Sequence, residues 1–349
     1  MKRPFFYETL GKIIGMIELR SDTFTKPDKP MLAAMMAAEV GDDVFEGDPT
    51  VIKLETQMAK MFGMEAGLFC PSGTMTNQIA IRVHTRPQDD VICHRHSHVY
   101  LYEGGGMMAN SGTSVTLLEG DRGRINAAQV VAAIKPDDVH APISKVVSVE
   151  NTMNKGGGSY YDFKKFEKIK EVVNQHQLKF HLDGARLFNA LVETNDDKQA
   201  YGEVFDTISV CLSKGLGAPV GSVLMASKED IKRARRVRKV FGGGMRQAGY
   251  LAAAGIYALE HNIDRLKDDH ERARTIGKEL ATCAFVNDIM PIDTNILIFS
   301  VDNVDDILAK LRTRDILGVP FGPNQIRFVT HLDFTDAMLE ETVKVLRKI

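Results

Sequence analysis

The stretch Thr207-Ile-Ser-Val-Cys-Leu-Ser-Lys-Gly-Leu-Gly-Ala-Pro-Val-Gly-Ser222 decides the fold class. A short, apolar, β-favouring run ends close to Lys214, and a glycine-rich loop follows it. Open α/β sheets place reactive groups at this carboxyl edge of their strands. A lysine held there loses part of its hydration, so its amine can act as a nucleophile or form an imine with a carbonyl. The alternative for any single lysine is a solvated surface charge.

Helical and strand-like stretches alternate on either side of this run, from about residue 30 to residue 250. Predicted strands cover 66–69, 90–92, 114–118, 144–150, 179–182, 207–212 and 222–226. Predicted helices cover 30–39, 50–62, 74–84, 126–134, 162–176 and 228–240. This alternation favours an α/β fold in which a mostly parallel sheet lies between helices.

The C-terminal part of the chain departs from this alternation. Its predicted elements are helices over 248–260, 263–281 and 304–314, and strands over 295–300 and 325–329. That order is typical of a compact α+β unit. The predicted division is an N-terminal extension of residues 1–15, a large α/β domain of residues 16–250 and a smaller α+β domain of residues 251–349.

Composition argues against several classes of protein. The 349 residues carry a formal net charge of −2, which gives no electrostatic case for binding nucleic acid or an anionic membrane. No apolar run approaches the length of a membrane span. The four cysteines are far apart and form no Cys-x-x-Cys pair, as expected for reduced thiols in a cytoplasmic protein.

The run Cys93-His-Arg-His-Ser-His98 could supply metal ligands. The spacing of two places its three histidines on one face of an extended segment, whereas tetrahedral zinc sites draw on two separated pairs. We therefore predict no metal site here and one functional histidine.

Two further strand ends carry groups that could hold a ligand. Pro71-Ser-Gly-Thr74 follows an apolar run and opens a predicted helix, where free N–H groups and the helix dipole favour a phosphate. Ser72 and Thr74 could instead only cap the helix. Asp183, within Lys179-Phe-His-Leu-Asp-Gly-Ala-Arg186, could pair with Arg186 or face a cationic group such as a protonated pyridine nitrogen. A phosphate site, a carboxylate for a pyridine nitrogen and the imine-forming amine of Lys214 are together the groups that bind pyridoxal 5′-phosphate.

The chain also resembles a known family over most of its length. The matching stretches are Arg20-Ser-Asp-Thr23, Val40-Gly-Asp-Asp-Val44, Asp48-Pro-Thr50, Pro71-Ser-Gly-Thr-Met75, Ser97-His98, Tyr102-Glu103, Glu150-Asn-Thr152, His181-Leu-Asp-Gly-Ala-Arg186, Ser213-Lys-Gly215, Ala218-Pro-Val-Gly-Ser222, Gly242-Gly-Gly-Met-Arg-Gln247 and Ile326-Arg-Phe-Val-Thr-His331. In these it is similar to the low-specificity or L-allo type of L-threonine aldolase, in the β-eliminating lyase family of fold-type I pyridoxal-phosphate enzymes.

This resemblance implies cofactor-binding roles for particular residues. Lys214 would form the imine with the cofactor, and Asp183 would hold the pyridinium nitrogen. The phosphate would lie on Ser72-Gly-Thr74, with Arg246 contributed by a neighbouring subunit. His98 would stack on the ring and is the first candidate for the general base, an activated water being the alternative.

The resemblance also implies a substrate, a reaction and an assembly. Ser21, Arg186 and Arg327 would hold the substrate carboxylate, and Arg186 would also contact the cofactor. The reaction would be retro-aldol cleavage of L-threonine or L-allo-threonine to glycine and an aldehyde, serving threonine breakdown and glycine synthesis. The assembly would be a homotetramer, a dimer of dimers with shared active sites. The competing readings are β-elimination from a related amino acid and a catalytically silent homologue.

Two positions depart from the family pattern. Met153 stands where the family has a histidine near the substrate hydroxyl, and Phe45 replaces a tyrosine. A thioether cannot donate a hydrogen bond. Both changes predict a more apolar pocket, with either weak turnover of threonine or a preference for a bulkier, apolar β-substituent.

Overall fold

The computed structural model describes residues 15–349, so most of the predicted 1–15 extension lies outside the described residues. The strands are β1 Ile17–Glu18, β2 Ala66–Cys70, β3 Asp89–His94, β4 Ser114–Leu118, β5 Ile143–Glu150, β6 Lys179–Gly184, β7 Thr207–Cys211, β8 Ser222–Ala226, β9 Asp288–Ile289, β10 Ile296–Ser300, β11 Ile316–Leu317, β12 Val319–Gly322 and β13 Gln325–Val329. The helices are α1 Lys29–Met36, α2 Pro49–Met61, α3 Gly73–His84, α4 His98–Leu101, α5 Gly106–Ser111, α6 Ala127–Ala133, α7 Phe163–Gln175, α8 Leu187–Thr194, α9 Lys198–Val204, α10 Lys228–Val240, α11 Gly249–His261, α12 Leu266–Leu280, α13 Val304–Arg312 and α14 Asp336–Leu346.

A seven-stranded sheet in the order β2-β8-β7-β6-β5-β3-β4 forms the centre of the molecule. Its pairs are parallel except for those of β8, which runs antiparallel to both β2 and β7. Strands β2 and β7 therefore point the same way, and the carboxyl ends of β2, β3, β5, β6 and β7 share one edge. The predicted α/β class with a mostly parallel sheet is confirmed.

Helices cover the sheet through apolar stripes, as α7 illustrates. Asp162 caps its N-terminus, and Phe166, Ile169 and Val173 form its buried stripe at spacings of three and four. Each such side chain contributes roughly 1.5–3 kcal/mol when fully buried, so packing on the sheet holds the helix in place. Among residues 15–349, no helix combines the length and apolar character needed to cross a membrane.

The C-terminal unit is a four-stranded antiparallel sheet in the order β12-β13-β10-β9, with its own hydrophobic core. Residues 17–19 join this core, because β1 pairs with β11 and the N–H of Val329 donates to the carbonyl of Leu19. Helix α11, in contrast, places Ala252 and Ala254 in the large core. Within α12, Leu266 lies in the large core and Ala273 in the small one, which favours a boundary within α12 over the predicted one at residue 250. Residues 17–19, at the start of the predicted large domain, pack with the small unit.

Candidate active site

The turn between β2 and α3 ends in a helix start with free N–H groups. Ser72 is the N-cap, and its Oγ accepts from the N–H of Met75 at 3.2 Å. Within the described residues, the N–H groups of Gly73 and Thr74 have no acceptor. A Cβ on Gly73 would lie 2.5 Å from Sγ of Cys211, so glycine allows the backbone to approach β7 closely. Free N–H groups at a helix N-terminus form an anion site.

We expect Gly73→Ala to lower the free energy of unfolding by about 1–3 kcal/mol, because the new methyl group overpacks the turn against the Cys211 thiol. Phosphate-ligand affinity should fall with it. Urea denaturation and ligand titration measure both effects. The double variant Gly73→Ala/Cys211→Ala removes the thiol and should recover most of the lost free energy of unfolding. A double variant as unstable as Gly73→Ala alone would contradict this steric cause. Gly47→Ala, whose Cβ would meet its nearest neighbour at 3.6 Å, is the control.

Lys214 follows β7 and is half-buried beside this turn. Its Nζ lies 3.7 Å from Sγ of Cys211. Within the described residues, no carboxylate lies within ion-pair distance of the amine. An amine that is not engaged in an ion pair is available for covalent chemistry.

Asp183 ends β6 as a buried carboxylate. Its Oδ2 accepts from Nδ2 of Asn77 at 3.0 Å, and its Oδ1 accepts from the N–H of Ala185 at 3.1 Å. No lysine or arginine of the described chain pairs with it, and Arg186, the partner suggested by the sequence, binds Asp22 instead. A buried anion without a fixed cation favours a ligand that carries positive charge.

His98 begins α4 rather than continuing an extended segment. Strand β3 ends at His94 and a turn follows, so the prediction that His94, His96 and His98 share one strand face is wrong. Nδ1 of His98 lies 2.9 Å from Oε1 of Glu103. Nitrogen or oxygen atoms of His98, Glu103 and Asp183 all lie within 4.8 Å of one another. The fold therefore brings His98 to the Asp183 side of the sheet edge.

Buried carboxylates determine the protonation of this cluster. Burial opposes the charged form of His98, but its hydrogen bond to Glu103 and the charges of Asp183 and Glu150 raise the pKa of His98 above its ordinary value. Glu150, at the end of β5, accepts from the N–H groups of His98 at 2.8 Å and Asn154 at 2.9 Å. Burial, and then the charge of Asp183, raise the pKa of Glu150 to about 7. The sequence offered no signal for these two glutamates beyond their presence in matching stretches.

The guanidinium of Arg186 is already engaged by a carboxylate. Its Nε and Nη2 each donate to one carboxylate oxygen of Asp22, both at 2.7 Å, and the two side chains are buried. Burial alone would raise the pKa of Asp22, but Arg186 outweighs it and holds that pKa at about 2. Nε and Nη2 of Arg186 are therefore occupied by Asp22, a partner that the sequence reasoning missed, and the predicted contact of Arg186 with a substrate carboxylate stays a prediction.

Arg327, on β13, has no carboxylate partner among residues 15–349. Its Nη1 donates to Oδ1 of Asn154 and its Nη2 to the carbonyl of Arg20, both at 2.9 Å, while its Nε is buried without a partner. Burial, and then the charge of Arg186, lower the pKa of Arg327 to about 10. An incoming carboxylate would offset both effects, which makes this guanidinium suited to an anionic ligand group.

Two predicted residues, Ser21 and Arg246, form their hydrogen bonds outside this cluster within residues 15–349. Ser21 caps the 3-10 turn Asp22–Phe24 and accepts from the N–H of Thr23 at 3.3 Å. Arg246 is exposed, and its Nη1 donates to Oδ2 of Asp42 at 2.9 Å. Their predicted ligand contacts stay predictions.

Met153 and Phe45 occupy opposite environments in the described chain. Met153 is fully buried and packs its thioether against Gly123, while 80% of Phe45 is exposed to solvent. The predicted effect of both residues on the ligand pocket stays a prediction.

We accordingly expect Met153→His to lower the free energy of unfolding by about 1–3 kcal/mol, since it buries a polar ring in a site shaped for a thioether. The kcat/KM for threonine cleavage should not rise. Thermal unfolding and steady-state assays with threonine and phenylserine measure these effects, and Met153→Leu is the control for volume. A gain in threonine cleavage in the histidine variant would contradict this placement of Met153.

Comparison with known proteins identifies the family. The profile described as Beta-eliminating lyase matches residues 18–303. The chain belongs to this family. Its β-eliminating lyase relatives include the low specificity L-threonine aldolase of Escherichia coli (strain K12), 40% identical over 93% of this chain and 97% of the relative. The probable low-specificity L-threonine aldolase 2 of Arabidopsis thaliana is 37% identical over 96% of this chain and 98% of the relative.

Solved structures support the same fold. The Leishmania major threonine aldolase superposes with a TM-score of 0.84 at 22% identity, covering 95% of this β-eliminating lyase chain and 98% of that one. A structure described as SPT with PLP internal aldimine superposes with a TM-score of 0.72 at 14% identity, covering 95% and 87%. The predicted resemblance to the β-eliminating lyase family and its fold is confirmed.

Proposed function

We propose that this chain is a pyridoxal 5′-phosphate-dependent lyase that cleaves β-hydroxy-α-amino acids, L-threonine and L-allo-threonine among them, to glycine and an aldehyde. The observation that carries the proposal is Asp183, a buried carboxylate without a lysine or arginine partner in the described chain, beside His98. The threonine aldolase names of relatives at 37–40% identity support the substrate class.

The described residues fit the cofactor at three points. The free N–H groups of Gly73 and Thr74 suit its phosphate, and Ser72 caps the same helix start. Asp183 suits a pyridinium nitrogen, and the amine of Lys214 suits its aldehyde. When bound, pyridoxal 5′-phosphate supplies an electron sink for the electron pair that Cα keeps as the Cα–Cβ bond breaks.

The chain's own residues supply binding and proton transfer. Arg327 holds the substrate carboxylate, with Asn154 and the carbonyl of Arg20 fixing the orientation of its guanidinium. His98 takes the proton of the β-hydroxyl as the carbonyl of the leaving aldehyde forms, and return of one proton to Cα completes glycine and restores the neutral base. Its hydrogen bond to Glu103 favours this role, and a water molecule held by His98 is the second candidate.

We extend the proposal to assembly and compartment. A homotetramer with shared active sites would let Arg246, exposed and only partly engaged by Asp42, reach the phosphate of a neighbouring subunit. Free cysteines, of which Cys70, Cys93 and Cys211 are buried, support a reducing, cytoplasmic compartment. Light scattering of the purified protein tests the tetramer.

Arg327→Lys is expected to raise KM for the amino acid by about 100-fold, because a point charge replaces the planar fork that matches a carboxylate. The kcat should change much less. Steady-state kinetics measure both, and Arg314→Lys is the matched control on an exposed arginine. An unchanged KM would remove Arg327 from the carboxylate site.

Product analysis separates this function from its nearest competitor. Incubation with threonine, allo-threonine or phenylserine should release glycine and the matching aldehyde in equal amounts. Ammonia and a keto acid would instead indicate β-elimination. A protein that takes up no pyridoxal phosphate and releases none of these products would refute the proposal.

A further inference from the structure

Glu103 is a fully buried carboxylate surrounded by hydrogen-bond donors. Its Oε1 accepts from Nδ2 of Asn77 at 2.8 Å, and its Oε2 accepts from Nε2 of Gln78 at 2.6 Å. Among the residues that the structure describes, its third side-chain partner is Nδ1 of His98, 2.9 Å from Oε1. An ionised carboxylate only accepts, so this ring nitrogen has to carry a hydrogen. In the neutral imidazole, Nε2 is then the nitrogen that can take up a proton.

Asn77 connects this pair to Asp183. Its amide nitrogen donates to Oε1 of Glu103 and to Oδ2 of Asp183 at 3.0 Å, and its Oδ1 lies 3.1 Å from Nε2 of His181. Burial lowers the pKa of His181 to about 4, so this ring is neutral and carries one hydrogen. Its Nδ1 lies 2.9 Å from Oγ1 of Thr207. Ionised carboxylates only accept, so the amide nitrogen of Asn77 faces Glu103 and Asp183, and its Oδ1 is left to accept from Nε2–H of His181.

We infer that Glu103 is a positioning residue that fixes His98 in the Nδ1–H form and leaves Nε2 as the proton acceptor, while Asn77 fixes the Glu103–His98 pair relative to Asp183. The inference rests on the proposed function, in which His98 takes the β-hydroxyl proton. The titratable groups that face His98 are Glu103 and Tyr102 from its own segment, Glu150 from β5 and Asp183 from β6. Of these, Glu103 bonds to a ring nitrogen, and the others act through charge, ring contact or a backbone bond.

The substitution Glu103→Gln keeps the size of the side chain and removes its charge. Hydrogen exchange at C2 of His98, followed across pH by mass spectrometry of the cofactor-loaded enzyme without substrate, reports the pKa of this ring. We expect a lower pKa of His98 in the variant, because its charge-assisted hydrogen bond is lost. The kcat should fall about 100-fold with little change in KM. The low-pH limb of kcat/KM should move to lower pH, since the base now loses its proton at lower pH.

Controls separate positioning from a structural role. Glu119→Gln removes an exposed carboxylate and should leave exchange and kinetics unchanged. Glu103→Asp keeps the charge, so the pKa of His98 should stay higher in this variant than in Glu103→Gln. If the glutamine variant fails to fold, the comparison of Glu103→Asp with the wild type provides the test. Unchanged exchange at His98 in a folded Glu103→Gln protein would overturn the inference. Failure of the proposed function would appear separately, as an absence of glycine release by the wild type while the exchange difference persists.

Discussion

Lys214→Ala is expected to lower the kcat of amino-acid cleavage by about 10⁴-fold or more, because it removes the nucleophilic amine on which covalent catalysis depends. The visible absorption of the lysine-bound cofactor should disappear at the same time. The half-buried amine is held by no ion pair in the described chain, so its loss should leave the fold intact.

Absorption spectra before and after borohydride treatment, together with glycine release, measure this effect. Lys53→Ala, which removes an exposed lysine of α2, is the control and should retain both colour and turnover. A different result would be a Lys214→Ala protein that keeps the visible absorption band and, after borohydride treatment, retains the cofactor through washing. That result would assign the cofactor link to another lysine.

Asp183→Asn should produce the second-largest loss, a fall in kcat of about 10³-fold. The change preserves shape but removes the anion that would keep a ring nitrogen protonated, and the cofactor then becomes a weaker electron sink. Because the charge of Asp183 also raises the pKa of Glu150, that glutamate should titrate at lower pH in the variant. Glycine release and the spectrum of the bound cofactor measure the main effect.

The matched control is Asp90→Asn. Asp90 is also a buried carboxylate on a strand of the same sheet, but it accepts hydrogen bonds from Ser114 and Thr116. Its substitution should alter stability and leave kcat nearly unchanged. Equal losses of kcat in the two variants would indicate that Asp183 acts through the fold rather than through the cofactor.

The sequence predicted the sheet and three groups of the site because each has a local signature. Lys214, Asp183 and Gly73 each follow a buried apolar run and precede or form a glycine-containing turn. The parallel arrangement then places these strand ends on one edge. The bounds of the predicted strands agree with the structure to within two residues at each end, including β4, β7, β8 and β13.

The rest of the site could not be read from local patterns. Asp22 meets Arg186 across 164 positions of the chain, and Glu103 meets Asn77 across 26. Sheet order and side-chain direction bring these pairs together, and neither leaves a periodic signal. Helix α4 has only four residues, too few for a period of 3.6 to be recognised, so the turn that redirects His98 was read as extended chain.

Strand β1 can find its partner β11 only after the ribosome has made nearly the whole chain. Domains generally fold as they emerge, so the seven-stranded sheet can close while the C-terminal unit is still being synthesised. Asp22, three residues after Leu19, then reaches its place beside Arg186 once residues 17–19 have docked on that late unit. The nascent enzyme is therefore expected to gain a folded core first and a competent cleft last, and chains released early would be folded in part and inactive.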